Sequence, residues 1–183
     1  MDSIKEAFSK VKADISDIRE SIRYQKKNAN NLDNSDKDSN KKVVYIIGSL
    51  KNWKVIELAK KLRKEFPKWE VFDSWISPGP EADDFWRKYS KLKGQTYKQA
   101  LEDWSATHIF DFDKTHITRS SIVVLYMPCG KSGHLELGYA LGQGKKGFVL
   151  FDKEPERWDI MYQFADGVFF SYDDLKSALM KLK

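Results

Sequence analysis

The amino-acid sequence predicts an α/β fold, a doubly wound sandwich in which helices cover both faces of a mainly parallel, five-stranded sheet. Three observations predict it. Short runs of β-branched and aliphatic residues, such as VVYIIG and SIVVLYMP, are typical of strands buried on both faces. Stretches with helical spacing of apolar residues separate these runs. Strand and helix alternate about five times, as repeated βαβ units require.

The length and composition of the chain fit one such domain with an appended segment. The chain has 183 residues and 21.3 kDa, of which 41% are hydrophobic and 32% charged, the composition of a globular protein. No apolar run approaches the roughly 18 residues of a membrane helix, and the N-terminus carries charges where a signal peptide is apolar. We therefore expect a cytoplasmic protein without membrane contact.

The net charge of +5 is spread over the whole chain. Residues 1–42 hold ten Lys and Arg against eight Asp and Glu, and the remainder holds 22 against 19. Mixed signs are typical of a solvated surface, so we expect no duplex nucleic acid as a partner. One cysteine and three scattered histidines give no zinc-ligand spacing. We expect no metal and no other cofactor.

The N-terminal segment is predicted to be separate from the domain. Within residues 1–24, apolar side chains recur every three or four positions, which predicts an amphipathic helix. Its stripe consists of Ile4, Phe8, Val11, Ile15, Ile18 and Ile22. The stripe could pack on the chain's own domain or pair with a second subunit, and we expect a homo-oligomer. Residues 25–42, rich in Asn, Asp, Ser and Lys, are predicted to be a flexible polar linker.

Residues 43–183 are predicted to form the domain itself. Its first half consists of a strand at 43–48, a helix at 53–66 that Pro67 stops, a strand at 69–72, and helices at 84–92 and from 96 to about 109. Its second half consists of strands at 121–128, 147–151 and 167–171, with helices at 133–144 and 172–182. This order is that of flavodoxin-like and Rossmann-like sandwiches.

Polar and glycine-rich segments follow the predicted strands, where ligands bind in such folds, beyond the carboxyl ends of the strands. The candidates after the first two strands are Gly48, Ser49, Asp73 and Trp75. The richest segment, CGKSGHLE, follows the strand at 121–128 and opens a helix, so its backbone N–H groups can hold an anion. Its candidates are Gly130, Lys131, Ser132 and Gly133. It lacks the spacing of a Walker loop or a GxGxxG motif, and such glycines also serve tight turns.

Two acidic residues lie in unusual surroundings. Glu136 is expected in the first turn of the helix that follows CGKSGHL, where the helix dipole alone would favour it, but its neighbours are mostly apolar. Asp113 lies, with Asp111, in the aromatic-flanked segment HIFDFDKTHITRSS, which we expect to be a helix end and turn.

Together these segments resemble the nucleoside 2-deoxyribosyltransferases and the related nucleoside 5′-monophosphate N-glycosidases. The resemblance lies in GSLKNW after the first strand, in FDFDKTHI, and in SGHLELGYALGQGKK followed by GFVLF. It extends from residue 43 to about residue 179. The most specific element of the resemblance is the glutamate of the ELGYA helix. The order and spacing of the motifs strengthen the resemblance.

The resemblance implies roles for individual residues. Glu136 corresponds to the family's nucleophile, which attacks the anomeric carbon of the sugar and forms a covalent glycosyl-enzyme. Asp113 corresponds to the carboxyl that gives the departing base a proton. Tyr45, in the first strand, corresponds to a tyrosine that hydrogen-bonds the nucleophile, although it could equally be an ordinary strand aromatic. The remaining substrate-contacting candidates are Gly48, Ser49, Asp73, Trp75, Trp86 and Met161, together with residues 130–133.

The sequence departs from the family pattern at two positions. Transferases often carry an acidic residue six positions before the nucleophile, where this chain has Gly130, and relatives usually have aspartate where it has Ser121. Serine and glycine near a helix N-terminus suit a 5′-phosphate, which favours hydrolysis of a monophosphate over transfer. Two alternatives stay open. One is a nicotinamide dinucleotide glycohydrolase in a defence or toxin role, and the other is a non-catalytic nucleotide sensor.

Overall fold

The computed structural model describes residues 41–182. The predicted helix at 1–24 and residues 25–40 of the predicted linker lie outside the described residues. Within residues 41–182, no helix has the length and hydrophobicity of a membrane-spanning segment.

In the described part of the chain the sheet has five strands, and every neighbouring pair is parallel. The strands are β1 (Val43–Ile47), β2 (Glu70–Phe72), β3 (Ile122–Tyr126), β4 (Lys146–Leu150) and β5 (Gly167–Phe169). Their order is β2-β1-β3-β4-β5, the order of flavodoxin-like folds. The α/β class and the five-stranded sheet are therefore confirmed, and the sheet is wholly rather than mainly parallel.

Within residues 41–182, six α-helices connect or follow these strands. They are α1 (Lys54–Glu65), α2 (Ala82–Leu92), α3 (Tyr97–Glu102), α4 (Trp104–Arg119), α5 (Lys131–Gly142) and α6 (Tyr172–Met180). Two short 3₁₀ helices, Ser74–Ile76 and Ile160–Phe164, lie after β2 and before β5. Helices α1 and α6 cover one face of the sheet, and α4 and α5 cover the other.

Alternation along the strands divides the core between the two faces. Val44 and Ile46 pack in the cluster that includes α1 and α6, whereas Tyr45 and Ile47 pack in the cluster that includes α4 and α5. All five residues of β1 are buried, as the apolar run VVYII predicts for a central parallel strand.

The prediction for the segment before β3 was wrong. The single helix expected to end near residue 109 is two helices, α3 and α4, and α4 continues to Arg119. The break lies at Asp103, whose carboxylate accepts a hydrogen bond from the Ser105 backbone N–H at 3.2 Å and caps α4. Asp111 and Asp113 therefore lie within a helix and not in a turn.

Helix α5 also begins earlier than predicted. Gly130 is its N-cap and Lys131 its first residue, so Glu136 lies in the second turn and not in the first. The influence of the helix dipole is concentrated in the first turn, so the dipole does not account for a carboxylate at this position.

The strand order opens a crevice at the carboxyl edge of the sheet. Neighbouring strands β1 and β3 continue into α1 and α5, which lie on opposite faces. In parallel sheets such a switch point is where ligands bind.

Candidate active site

The three side chains predicted to be catalytic come together at this crevice. Tyr45 projects from β1, Asp113 from α4 and Glu136 from α5. The Tyr45 hydroxyl is a hydrogen-bond neighbour of both carboxyl groups. We refer to Asp113 and Glu136 as the carboxyl pair.

Aromatic stacking positions Tyr45 and α4. The Tyr45 ring stacks on Phe72 of β2, with ring centroids 5.3 Å apart. Phe72 in turn stacks on His116 at 3.8 Å, and Phe112 meets His116 edge-on at 4.6 Å. His116 lies one turn after Asp113 on α4 and is buried, so this stack fixes the part of the helix that presents the carboxyl.

The end of α4 is held by a polar network. Arg119 donates a hydrogen bond from Nε to His116 Nδ1 at 2.8 Å, and its guanidinium forms a bidentate ion pair with Glu70 of β2. Burial lowers the pKa of His116 to about 4, and the positive charge of Arg119 adds to that effect. His116 is therefore a neutral acceptor at physiological pH.

Close packing at Gly133 sets the position of Glu136. A Cβ atom at Gly133 would overlap the Cys129 sulfur and lie 2.9 Å from Cγ2 of Ile47. Only glycine lets α5 approach the ends of β1 and β3 this closely. The predicted substrate contact at Gly133 is thus accounted for by packing, one turn before Glu136.

Burial shifts the pKa of each member of the site. It raises the pKa of Asp113 to about 7, with a further contribution from the Asp83 carboxylate, and the Tyr45 hydroxyl partly offsets the rise. It raises the pKa of Glu136 to about 8, with Asp113 adding repulsion and Tyr45 again opposing. Burial and both carboxylates raise the pKa of Tyr45 far above its ordinary range, so its hydroxyl stays protonated.

Two such carboxyl groups titrate as a coupled pair and share about one proton near neutral pH. One member can then act as an anion while the other acts as an acid. A neutral tyrosine between them can donate its proton to whichever group carries the charge. The arrangement can supply a nucleophile and a general acid at the same time.

A cavity of about 600 Å³ lies at the start of α5. Its lining consists of Cys129, Gly130, Lys131, His134 and Leu135. Cys129 links this cavity to the carboxyl pair, because burial and then the charge of Glu136 raise the pKa of its thiol to about 11. The predicted anion-binding residues Gly130 and Lys131 thus border an open space, and Ser132 beside them is exposed.

The sequence analysis did not identify one contact of His134, a residue that lines the cavity. His134 bonds through Nδ1 to the Gly130 carbonyl at 2.8 Å and through Nε2 to the Tyr162 hydroxyl at 2.9 Å. The segment around the 3₁₀ helix Ile160–Phe164 is thereby tied to α5. Met161, a predicted substrate contact, lies in this segment with its side chain exposed. The only sequence signal was the histidine within CGKSGHLE.

The candidate residues Gly48 and Ser49, in the loop after β1, make contacts within the protein. A Cβ at Gly48 would lie 2.6 Å from Val55 Cγ2 and 3.4 Å from the Trp75 ring. The Trp75 indole N–H donates to the Ile46 carbonyl at 2.7 Å, so the ring is fixed over the end of β1. Ser49 Oγ accepts a hydrogen bond from the Lys51 backbone N–H at 3.2 Å.

Of the candidates Asp73 and Trp86, both after β2, the first is paired with another side chain within the described residues and the second is not. The Asp73 carboxylate forms an ion pair with Arg63 of α1, which also donates to the Val71 carbonyl at 2.8 Å. This pairing fixes the start of the loop, and Asp73 has no place in the site we propose. Trp86 of α2 is half-buried, and its buried indole N–H has no hydrogen-bond partner among residues 41–182.

No group of three His, Cys, Asp or Glu side chains among residues 41–182 is arranged to hold a metal ion. The two acidic side chains of the carboxyl pair both interact with Tyr45.

No family profile matches the chain, and no curated protein matches it. Comparison with solved structures finds similarity to a 2-deoxyribosyltransferase from Bacillus psychrosaccharolyticus, with 15% identity, a TM-score of 0.48 and coverage of 73% of this chain and 90% of that chain. It also finds similarity to a CMP N-glycosidase of Clostridium botulinum, with 14% identity, a TM-score of 0.44 and coverage of 75% and 98%. Both are proteins of the kinds that the sequence motifs resemble.

Proposed function

We propose that the chain is an enzyme that cleaves the N-glycosidic bond of a nucleoside or nucleoside 5′-monophosphate, with Glu136 as nucleophile. The observation that carries the proposal is the half-buried carboxyl pair joined by the Tyr45 hydroxyl. The motif resemblance in the sequence supports the same reaction. A purely structural role would not explain why two half-buried carboxyl groups with raised pKa values lie together.

In the first step the Glu136 carboxylate attacks C1′ of the sugar on the face opposite the base. The C1′–O bond forms as the C1′–N bond breaks, and the bonding electron pair leaves with the base. Protonated Asp113 gives its proton to the base and becomes the carboxylate. Tyr45 donates a hydrogen bond to the Glu136 carboxylate. The pKa values of about 7 for Asp113 and about 8 for Glu136 place the shared proton on Glu136 before substrate binds, so the reaction requires that this proton move to Asp113 when substrate binds.

In the second step the glycosyl-enzyme is resolved at C1′. The Asp113 carboxylate accepts a proton from water while the water oxygen attacks C1′, and the ester bond to Glu136 breaks to release the free sugar. A second nucleobase in place of water would give transfer instead. Two displacements at one carbon retain the configuration, as in retaining glycosidases.

The start of α5 supports a monophosphate as the substrate. Gly130 and Lys131 border the 600 Å³ cavity, and Ser132 is exposed in the first turn of the helix. Backbone N–H groups, a lysine and a hydroxyl at a helix N-terminus suit a phosphate group. Gly130 at the position where transferases often carry an acid favours water over an acceptor base.

Self-association in the cytoplasm remains part of the proposal. The segment before β5 exposes large apolar side chains, with Trp158 77%, Ile160 74% and Phe164 73% exposed. A second subunit that covers them would remove this apolar surface from water. Sedimentation velocity of the full chain tests this: an oligomer supports it, and a monomer at micromolar concentration contradicts it.

The test of the reaction is a product assay. The protein is incubated with the 2′-deoxynucleosides, their 5′-monophosphates and nicotinamide adenine dinucleotide, with and without a free acceptor base, and released base is measured by chromatography. Base released from a monophosphate without acceptor supports hydrolysis, and release only with acceptor supports transfer. Release of nicotinamide alone would favour the dinucleotide glycohydrolase.

Glu136→Gln is expected to abolish base release, and Glu102→Gln, an exposed change of the same kind on α3, is expected to leave it unchanged. Equal activity of wild type and Glu136→Gln would remove Glu136 from the mechanism. Absence of base release from every substrate would refute the enzyme and favour the sensor.

A further inference from the structure

A second cavity lies on the opposite face of the sheet from the carboxyl pair. It has a volume of about 260 Å³ and is lined by residues of α1, by the carboxyl ends of β3 and β4, and by the start of α6. Tyr126 and Leu150, the last residues of β3 and β4, pack in the core cluster of α1 and α6, whereas Tyr45 packs in the other cluster. Small-molecule sites typically measure about 300–1,000 Å³, so this cavity is suited to a small ligand.

One wall of this second cavity is a fixed polar network. The Tyr126 hydroxyl donates a hydrogen bond to Asp152 Oδ1 at 2.6 Å, and Lys54 Nζ donates to Asp152 Oδ2 at 2.5 Å. Burial and the neighbouring Asp152 carboxylate raise the pKa of Tyr126, so its hydroxyl stays protonated. Both oxygens of Asp152 are therefore engaged, and the charge of Lys54 balances the charge of this carboxylate.

Three other polar groups of the lining have no partner within residues 41–182. The Tyr172 hydroxyl is buried and makes no hydrogen bond there. Lys61 and Glu57 belong to none of the ion pairs of the described residues, and Lys61 Nζ lies over the Tyr172 ring, 5.3 Å from its centroid. Buried hydroxyls without a partner are rare, because that state is costly. The cavity thus offers a ligand one cation, one anion and one hydroxyl.

An aromatic ring completes the lining. Phe170 follows β5 and is 46% exposed, and its ring stacks on the ring of Phe151 with centroids 5.8 Å apart. Phe151 is buried, so this stacking holds the exposed ring in place. Phe170 therefore gives a ligand a fixed apolar surface.

The charges of the lining favour one class of ligand. Lys54 and Lys61 balance Glu57 and Asp152, so the lining as a whole is neutral. The first turn of α6 is acidic, which opposes a phosphate at this helix N-terminus. Lys61 and Glu57 lie four residues apart on α1 and therefore share one side of the helix. A ligand with one charge of each sign can pair with both.

We propose that the second cavity binds a small zwitterion with an aromatic ring, that is, an aromatic α-amino acid. The ligand carboxylate pairs with Lys61 and accepts a hydrogen bond from the Tyr172 hydroxyl. The ligand ammonium group pairs with Glu57, and the ligand ring packs on Phe170. This binding site is separate from the carboxyl pair, and the proposal does not depend on the reaction there.

The first test is titration calorimetry on the full chain with three probes that share one ring. L-Phenylalanine carries both charges, 3-phenylpropionate lacks the ammonium group, and 2-phenylethylamine lacks the carboxylate. We expect L-phenylalanine to bind most tightly. Loss of the carboxylate should weaken binding about tenfold, because it removes an ion pair and the acceptor for a buried hydroxyl. Loss of the ammonium group should weaken binding about threefold, because Glu57 is exposed.

The second test repeats the L-phenylalanine titration with three variants. Tyr172→Phe deletes only the hydroxyl, which has no partner among the described residues, and we expect about fivefold weaker binding. Lys61→Gln removes the cation, and we expect about threefold to fivefold weaker binding. Lys60→Gln is the matched control, because Lys60 is an exposed lysine of α1 outside the lining, and its effect should be less than about twofold.

Urea unfolding of each variant checks that the fold is retained, and Tyr172→Phe is expected to be as stable as wild type or more stable. Absence of L-phenylalanine binding at concentrations up to about 10 mM would overturn the proposal. Equal affinities for the three probes would also overturn it, since the charges would then have no role. So would equal affinities of wild type, Tyr172→Phe and Lys61→Gln for L-phenylalanine.

Discussion

Glu136→Gln should make the protein more stable at alkaline pH while it removes activity. Burial raises the pKa of Glu136 from 4.5 to about 8. One pKa unit corresponds to about 1.4 kcal/mol, so the full shift corresponds to about 5 kcal/mol. Glu136 is partly exposed, and solvent screening reduces this, so we expect a gain of about 2–3 kcal/mol in the free energy of unfolding.

The direction of the pH effect on stability follows from the order in which the unfolded and folded states lose the Glu136 proton as pH rises. The folded-state pKa is above the unfolded value, so the unfolded chain ionises first and wild-type stability falls as pH rises. The loss is absent below about pH 4.5 and complete above about pH 8. Glutamine carries no charge in either state, so the advantage of the variant grows through this window.

The assay is urea unfolding followed by tryptophan fluorescence at about pH 4.5 and about pH 8.5. A gain of this size raises the urea midpoint by about 1–2 M at the higher pH. Glu102→Gln, the exposed control, is expected to change the midpoint little at either pH. Equal midpoints for wild type and Glu136→Gln at the higher pH, or a gain already complete at the lower one, would refute the buried-carboxylate argument.

Three further predictions follow from the site and its packing. Base release should have a bell-shaped pH profile with its maximum between about pH 7 and 8, because the carboxyl pair must hold one proton; a flat profile would contradict this. Gly133→Ala should lower the free energy of unfolding by about 1–3 kcal/mol through overlap with Cys129, whereas Gly138→Ala on the open side of α5 should raise it by up to about 1 kcal/mol; chemical denaturation measures both, and equal effects would disprove the close approach. Because the folded-state pKa of His116 is depressed to about 4, wild type should lose about 2–3 kcal/mol relative to His116→Gln as pH falls from about 6.5 to about 4, and a constant difference would contradict its burial as a neutral ring.

The sequence pattern predicted the strands and their parallel arrangement, and the family resemblance implied that Tyr45, Asp113 and Glu136 lie together. The runs that form β1, β3 and β4 are buried and apolar, and such runs are the strongest sequence signal available. The order of the strands then brings their carboxyl ends together, so residues distant in sequence meet for topological reasons.

The sequence did not predict which side chains and backbone groups from different elements form hydrogen bonds or ion pairs. The role of Asp73 depends on Arg63, which lies ten residues earlier on a different element, and the role of Trp75 depends on the Ile46 carbonyl. Neither partner is indicated by spacing or composition. Likewise, the hydrogen bond from Tyr162 to His134 joins residues 28 positions apart.

The predicted C-terminal boundary of the helix before β3 was wrong because the local sequence of α4 is a weak helix signal. The segment of α4 combines β-branched, aromatic and acidic residues with weak helical periodicity, so its C-terminal half looked like a turn. Stacking of His116 on Phe72 of β2 stabilises the helix from outside the segment. Tertiary contact outweighed local propensity there.

Side chains of β1 alternate between the two faces of the sheet, so the activity of the proposed enzyme depends on the register of this strand. Tyr45 lies between Val44 and Ile46, which face the opposite side of the sheet. A slip of β1 by one residue against its neighbours would move the tyrosine hydroxyl into the mainly apolar layer beneath α1 and α6 and present a valine or isoleucine to the carboxyl pair. Molecules with β1 out of register would therefore be inactive. Specific activity measured during refolding would then report the fraction of chains in which β1 has the correct register.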